Sequence, residues 1–147
     1  MTRLAALLLG GLWLIAATGC ARAPAEEQIR SLLQDMTTAI ADGKPGAFLE
    51  PIADDFAGDT WQLDRRGARL LLLREMRAHA RLRARLVDVQ VELVSESRAT
   101  ASFQAVLTGG SGLLPEDGGW YSVRTGWRQN GGDWEMISAS WERVIGR

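Results

Sequence analysis

WYSVRTGWRQNGGDWEMISASWER, residues 120–143, is the stretch that decides the fold. Two runs rich in aromatic and β-branched residues flank Asn130-Gly131, and that glycine tolerates the positive φ a tight hairpin turn demands. The stretch reads as a β-hairpin with strands over 120–128 and about 134–143. On the first strand a period of two puts Tyr121, Val123, Thr125 and Trp127 on one face. Trp120, Ser122, Arg124 and Arg128 fall on the other. Gly126, set among the rings, predicts a bulge or a close approach by another backbone.

The pattern extends upstream of the hairpin. A loop over 108–119 carries five glycines and Pro115. Before it, Ala99, Ala101, Phe103, Ala105 and Leu107 alternate cleanly as another strand, entered by a turn at 95–97. Between residues 81 and 86 the even positions are apolar (Leu82, Ala84, Leu86). From 87 to 93 the odd ones are (Val87, Val89, Val91, Leu93). One continuous strand cannot bury both sets on one face, so the slip at Leu86-Val87 predicts a β-bulge.

Upstream of residue 81 the period is helical. Ile29, Leu32, Leu33, Met36 and Ile40 share one face of a helix over 26–41, with Glu26 and Glu27 in its first turn and Asp42-Gly43 as its stop. Lys44-Pro45 opens a short second helix through Phe48 and Leu49 that Pro51 ends. Asp54-Asp55-Phe56 leads into a brief extended piece around Trp61 and Leu63. Asp64 suits the N-cap of a third helix over 66–80, expected to bury Leu70, Leu73 and Met76 with Leu72 alongside.

The order is helix, short helix, short strand, helix, and then four long strands. That order resembles the nuclear transport factor 2-like superfamily, which includes the ketosteroid isomerase and polyketide cyclase families. Ala53-Asp54-Asp55-Phe56 and the closing pattern from Trp127 to Met136 (WRQNGGDWEM) add to the likeness. The resemblance covers residues 26–147. It implies an α+β fold in which a curved antiparallel sheet, four long strands plus a short one, wraps as a cone around three N-terminal helices and encloses a pocket. Fold likeness does not give function.

The first nineteen residues carry a different message. Arg3 supplies a positive n-region, and residues 4–16 are thirteen uncharged apolar positions, too few for the roughly 20 a membrane-spanning helix needs. Ala17-Thr18-Gly19 follow, and then Cys20, the only cysteine of the chain. This resembles the lipobox of bacterial lipoproteins, with Ala17 where those signals more often carry Leu. It implies cleavage before Cys20, a thioether-linked diacylglycerol on its sulfur and acylation of the new amino terminus, with no thiol left for disulfide, zinc or nucleophilic chemistry. Several acyl chains make a durable anchor where one would be marginal. Residues 20–25 are then a short tether, and the expected place is the cell envelope, on the periplasmic face of the outer membrane, because Ala21 rather than Asp follows the cysteine.

Removing nineteen residues from 147 leaves 128, enough for one domain that buries around two-thirds of its unfolded surface. The remaining 16 basic and 18 acidic residues give a formal net charge of −2, without the basic footprint general nucleic-acid binding needs. One histidine, no free cysteine and scattered carboxylates show no metal-ligand spacing, and no cofactor is implied. Eight arginines against Glu75 alone between 65 and 85 read either as a solvated face or as a surface for anionic head groups.

Chemistry has few candidates. Isomerases and cyclases of the resembling group use a carboxylate base with Tyr or His donors, and this chain has one of each, Tyr121 and His79. His79 stands four residues after Glu75 and could pair with it, or serve as an ordinary residue of a last helical turn. Asp54 and Asp55 read as a base or as caps and solvated turns. Four of the five tryptophans after the signal crowd the last two strands, as a pocket wall or as a cross-strand core cluster. The candidate ligand-binding residues are Trp61, Tyr121, Trp127 and Asp55. Possible partners are the membrane through the lipid, a small apolar ligand, and a second copy across the open sheet face. The expected role is non-catalytic binding, with an isomerase-like or cyclase-like enzyme as the alternative.

Overall fold

The computed structural model describes residues 22–58, 62–79, 81–109 and 119–144. The signal, Cys20 and Trp61 lie outside the described residues. The chain forms α1 (Ala25–Ala41), α2 (Pro45–Leu49), β1 (Ile52–Gly58), β2 (Leu63–Asp64), α3 (Arg65–Ala78), β3 (Arg83–Ser95), β4 (Arg98–Thr108), β5 (Gly119–Asn130) and β6 (Asp133–Arg143). It is an α+β domain whose helices pack on one face of a single sheet.

The sheet has six strands in the order β2-β1-β6-β5-β4-β3. β3 to β6 form the expected antiparallel meander. Instead of one short strand there are two, and the sheet is mixed: β1 runs parallel to β6, with Ile52 opposite Met136 and Ala57 opposite Ser138. Ile52-Ala-Asp-Asp-Phe-Ala-Gly has little alternation of its own and reads weakly as a strand. It becomes one because the edge of β6 offers backbone partners, beginning with the Met136 N–H donating to Pro51 O at 2.7 Å. Asp54 and Asp55 therefore lie within a strand, not at a helix end.

Helix boundaries follow local chemistry closely. Pro45 occupies the first position of α2, and the Asp64 carboxylate caps α3 by accepting from Gly67 N at 2.6 Å. α1 buries Ile29, Leu33 and Met36 as the periodicity requires. The buried face of α3 differs from the expectation, since Leu70 is 59% exposed while Leu72 is 8%. Four consecutive leucines, 70–73, leave the rotational phase of that helix open in the sequence. Packing against β1 and α2 sets it, putting Ala68, Leu72 and Glu75 inward at i, i+4 and i+7.

The bulge in β3 is present one residue later than the pattern placed it. Val87 pairs with Gln104 and Gln90 with Ser102, so β3 advances three residues where β4 advances two. Asp88 takes φ 53, the left-handed region that Asp tolerates better than Val or Leu. Leu86 before it and Val89 and Val91 after it all pack toward the core. A second slip lies where Gly126 predicts one: Gly126 pairs with Ser138 and Trp127 with Met136, leaving Ile137 as the extra residue. The β5–β6 turn is centred on Gly131-Gly132, φ 58 and 94, one residue beyond the expected pair.

The densest part of the core lies at the end of the cone that bears this turn. Ile29, Ala99, Ala101, Trp127, Trp134 and Met136 are all buried there. Toward the other sheet end, where β4 finishes and β5 begins, the space between sheet and helices is not filled.

Candidate functional site

That space is a cavity of about 520 Å³, within the range of small-molecule pockets. Its sheet wall is built from inward-facing residues, among them Leu86, Phe103, Ala105, Val123, Thr125 and Trp141. Leu33 and Met36 of α1 and Leu72 of α3 close it from the helix side. Three threonines line it: Thr108 stands at the end of β4, and deeper inside the Thr37 and Thr125 hydroxyls are already engaged. Thr37 Oγ1 donates to Gln34 O at 2.8 Å and accepts from Gln34 Nε2 at 3.1 Å. Thr125 Oγ1 donates to Ala101 O at 3.2 Å and accepts from Trp127 Nε1 at 2.8 Å. The interior thus offers a ligand apolar contact and little else.

Polar groups gather where the cavity opens. The Arg74 guanidinium donates from Nε and Nη2 to Glu75 Oε1 at 3.1 and 3.0 Å. His79 Nε2 stands 3.6 Å from Glu75 Oε2. All three side chains line the cavity, and Arg74 is the most exposed of them, at 71%. His79 leaves the helix in an extended conformation, φ −125, with its N–H held by Glu75 O at 2.9 Å. That backbone turn swings the ring inward instead of onto a solvated helix face. Gly109 lets the end of β4 pass it, since a Cβ there would lie 2.8 Å from His79 Cβ. Gly119 plays the same part beneath the Tyr121 ring, where a Cβ would lie 2.8 Å from the hydroxyl. Glu75, the only histidine and the only tyrosine therefore all line one cavity, the first two from the helix side and Tyr121 from the sheet. Glu75 was singled out in the sequence only as a partner for His79. The i, i+4 spacing was the available signal, but not that the pair faces a cavity.

The other sequence candidates separate. Tyr121 lines the cavity. Trp127 does not: it is 0% exposed within the core, one layer below the cavity, and its indole N–H serves Thr125. Parity alone put it on the same face as Tyr121, correctly, but could not say where along the strand the cavity ends. Asp55 lies on the opposite face of the sheet. Arg128 Nη1 and Nη2 hold its carboxylate in a bidentate pair, each at 2.9 Å, and Arg128 also reaches Glu135 Oε1 at 2.7 Å. This cluster ties β1, β5 and β6 together. Among the described residues no group of three His, Cys, Asp or Glu could hold a metal ion.

The Arg128 guanidinium holds the Asp55 carboxyl below the usual carboxylate value, and the same contacts raise Arg128 further. A carboxyl that titrates lower in the folded than in the unfolded chain stabilises the fold above its unfolded value. It loses that contribution as pH falls through the folded one. The gap in melting temperature between the wild type and Asp55→Asn is expected to be widest near neutrality and to close below about pH 4. A gap that stays constant with pH would remove the ion pair as its cause.

The fold recurs in solved structures. A nuclear transport factor 2-like protein of unknown function from Pseudomonas putida superposes with a TM-score of 0.72 at 20% identity, over 83% of this chain and 88% of that one. The chain has the nuclear transport factor 2-like fold. A protein of unknown function with a cystatin-like fold from Nostoc punctiforme matches at TM-score 0.70 and 17% identity, over 86% and 97% of the two chains. A protein from Novosphingobium aromaticivorans, provisionally named a scytalone dehydratase, matches at 0.62 and 12%, over 81% and 83%. No family model and no curated protein matches the sequence. Proteins with this nuclear transport factor 2-like fold thus include ones of unknown function and ones named as enzymes, and the likeness extends to the fold alone.

Proposed function

We propose that the protein is a lipid-anchored binding module of the bacterial cell envelope, held on the periplasmic face of the outer membrane, that takes a small apolar ligand into its cone cavity. The observation that carries this reading is the segregation inside the cavity: apolar walls with their few hydroxyls already engaged, and ionisable groups only at the opening. A second copy meeting the open sheet face is the proposed assembly.

Filling the cavity tests it. Ala105 faces the interior from the middle of β4. Ala105→Phe is expected to weaken binding of an uncharged fluorescent naphthylamine at least about tenfold, with melting temperature unchanged or raised, because burying apolar area in a void is favourable. Unchanged binding in a folded variant would place the probe elsewhere.

The presence of Glu75, His79 and Tyr121 in the lining of one cavity supports a second reading, an isomerase-like or cyclase-like enzyme with Glu75 as base and Tyr121 as hydrogen-bond donor. The two separate on the compound recovered from the protein. A ligand released unchanged supports the binder. A ligand released rearranged, and unaltered by Glu75→Gln protein, supports the enzyme.

A further inference from the structure

The two ends of the cone have different neighbours. The chain enters the domain beside the β5–β6 turn, where Arg22 Nη2 lies 3.0 Å from Asp133 Oδ1 and α1 begins at Ala25. The cavity opens at the other end. Arg143, paired with Tyr121, stands ten residues along β6 from Asp133, about 33 Å at the rise of an extended strand. The six residues from Cys20 to Ala25 reach at most about 20 Å. A lipid on Cys20 therefore stays at the turn end, and the bilayer that holds it does not feed the opening directly. What enters the cavity comes through water.

We propose that the ligand is a single-chain amphiphile with an anionic head, captured from the aqueous side with its tail inward. This rests on the ligand-binding reading above. The tail follows from the interior, where Thr37 and Thr125 have no hydroxyl to spare. The head follows from the opening, which is rich in unspent donors. Among the described residues the Tyr121 hydroxyl and Arg74 Nη1 have no hydrogen-bond partner, while the one carboxylate there, Glu75, already holds Arg74. Two arginines without ion pairs among the described residues belong to the same end of the domain, Arg77 in the last turn of α3 and Arg81 next to cavity-lining Leu82. Such a field draws in anions and repels cations, and carboxylates or sulfates accept hydrogen bonds from arginine and tyrosine more strongly than an alcohol does.

The test uses the full lipidated chain in nanodiscs of zwitterionic phospholipid, with empty nanodiscs as blank and free amphiphile fixed by dialysis. N-phenyl-1-naphthylamine is bound first and then displaced by dodecanoate, dodecanol or dodecyltrimethylammonium at low salt. Dodecanoate is expected to displace the probe at about tenfold lower concentration than dodecanol, and the cation least well. The double variant Arg74→Gln/Arg81→Gln is expected to close the dodecanoate–dodecanol gap and leave dodecanol unchanged. Equal displacement by all three, or a gap that survives in the variant, overturns the anionic head while leaving an apolar-ligand cavity standing. A probe that never binds overturns the binding reading itself.

Discussion

Trp127→Ala is expected to destabilise the domain by about 3–5 kcal/mol, the range for truncating a large buried aromatic. Trp127 is 0% exposed and packs within the cluster that includes Ile29, Ala99, Ala101 and Met136. Its loss removes the ring from a close-packed layer and takes from Thr125 Oγ1 the N–H it accepts. Trp127→Phe keeps most of the ring and is expected to cost nearer 1–2 kcal/mol, chiefly the hydrogen bond and a small void. Trp120 supplies the contrast. It is 47% exposed and donates to Gln104 Oε1 at 2.6 Å, so Trp120→Ala is expected to cost under about 1 kcal/mol. Denaturant unfolding of the three variants checks the order, and a Trp127→Ala cost no larger than that of Trp120→Ala would sink the packing account. Because Trp127 lies outside the cavity wall, Trp127→Phe is also expected to leave probe affinity per folded molecule unchanged.

Cys20→Ser is expected to have an all-or-none effect. Without the sulfur no thioether to diacylglycerol forms, and processing that depends on it stops. The wild type should partition into detergent with the mass of a cleaved, acylated chain, and the variant should accumulate as an unlipidated precursor. Wild-type protein recovered free in the periplasm with an unmodified cysteine would end the anchor proposal.

Much of the architecture is legible in the residues because it rests on local rules. The long strands, the caps at Asp64 and Pro45 and the stripe of α1 each depend on neighbours within a few positions. The slip in β3 was visible for the same reason: two apolar parities cannot share one face. The sequence erred where a choice depends on distant chain. β1 became a strand because β6 presented an unpaired edge, and Leu72 rather than Leu70 turned inward because α3 packs that side against β1 and α2.

The site divides along the same line. By itself the sequence determined the proposed address at Cys20, the lack of any metal-ligand spacing, and the face of β5 that carries Tyr121. Only the tertiary structure decided that Trp127 belongs to the core, that Asp55 is spent on Arg128 across the sheet, and that Glu75, His79 and Tyr121 all line one cavity. The physical reason is that parity and periodicity fix the direction of a side chain about its own element. Whether that direction ends in packed atoms, a salt bridge or empty space is set by other elements, dozens of residues away in the chain.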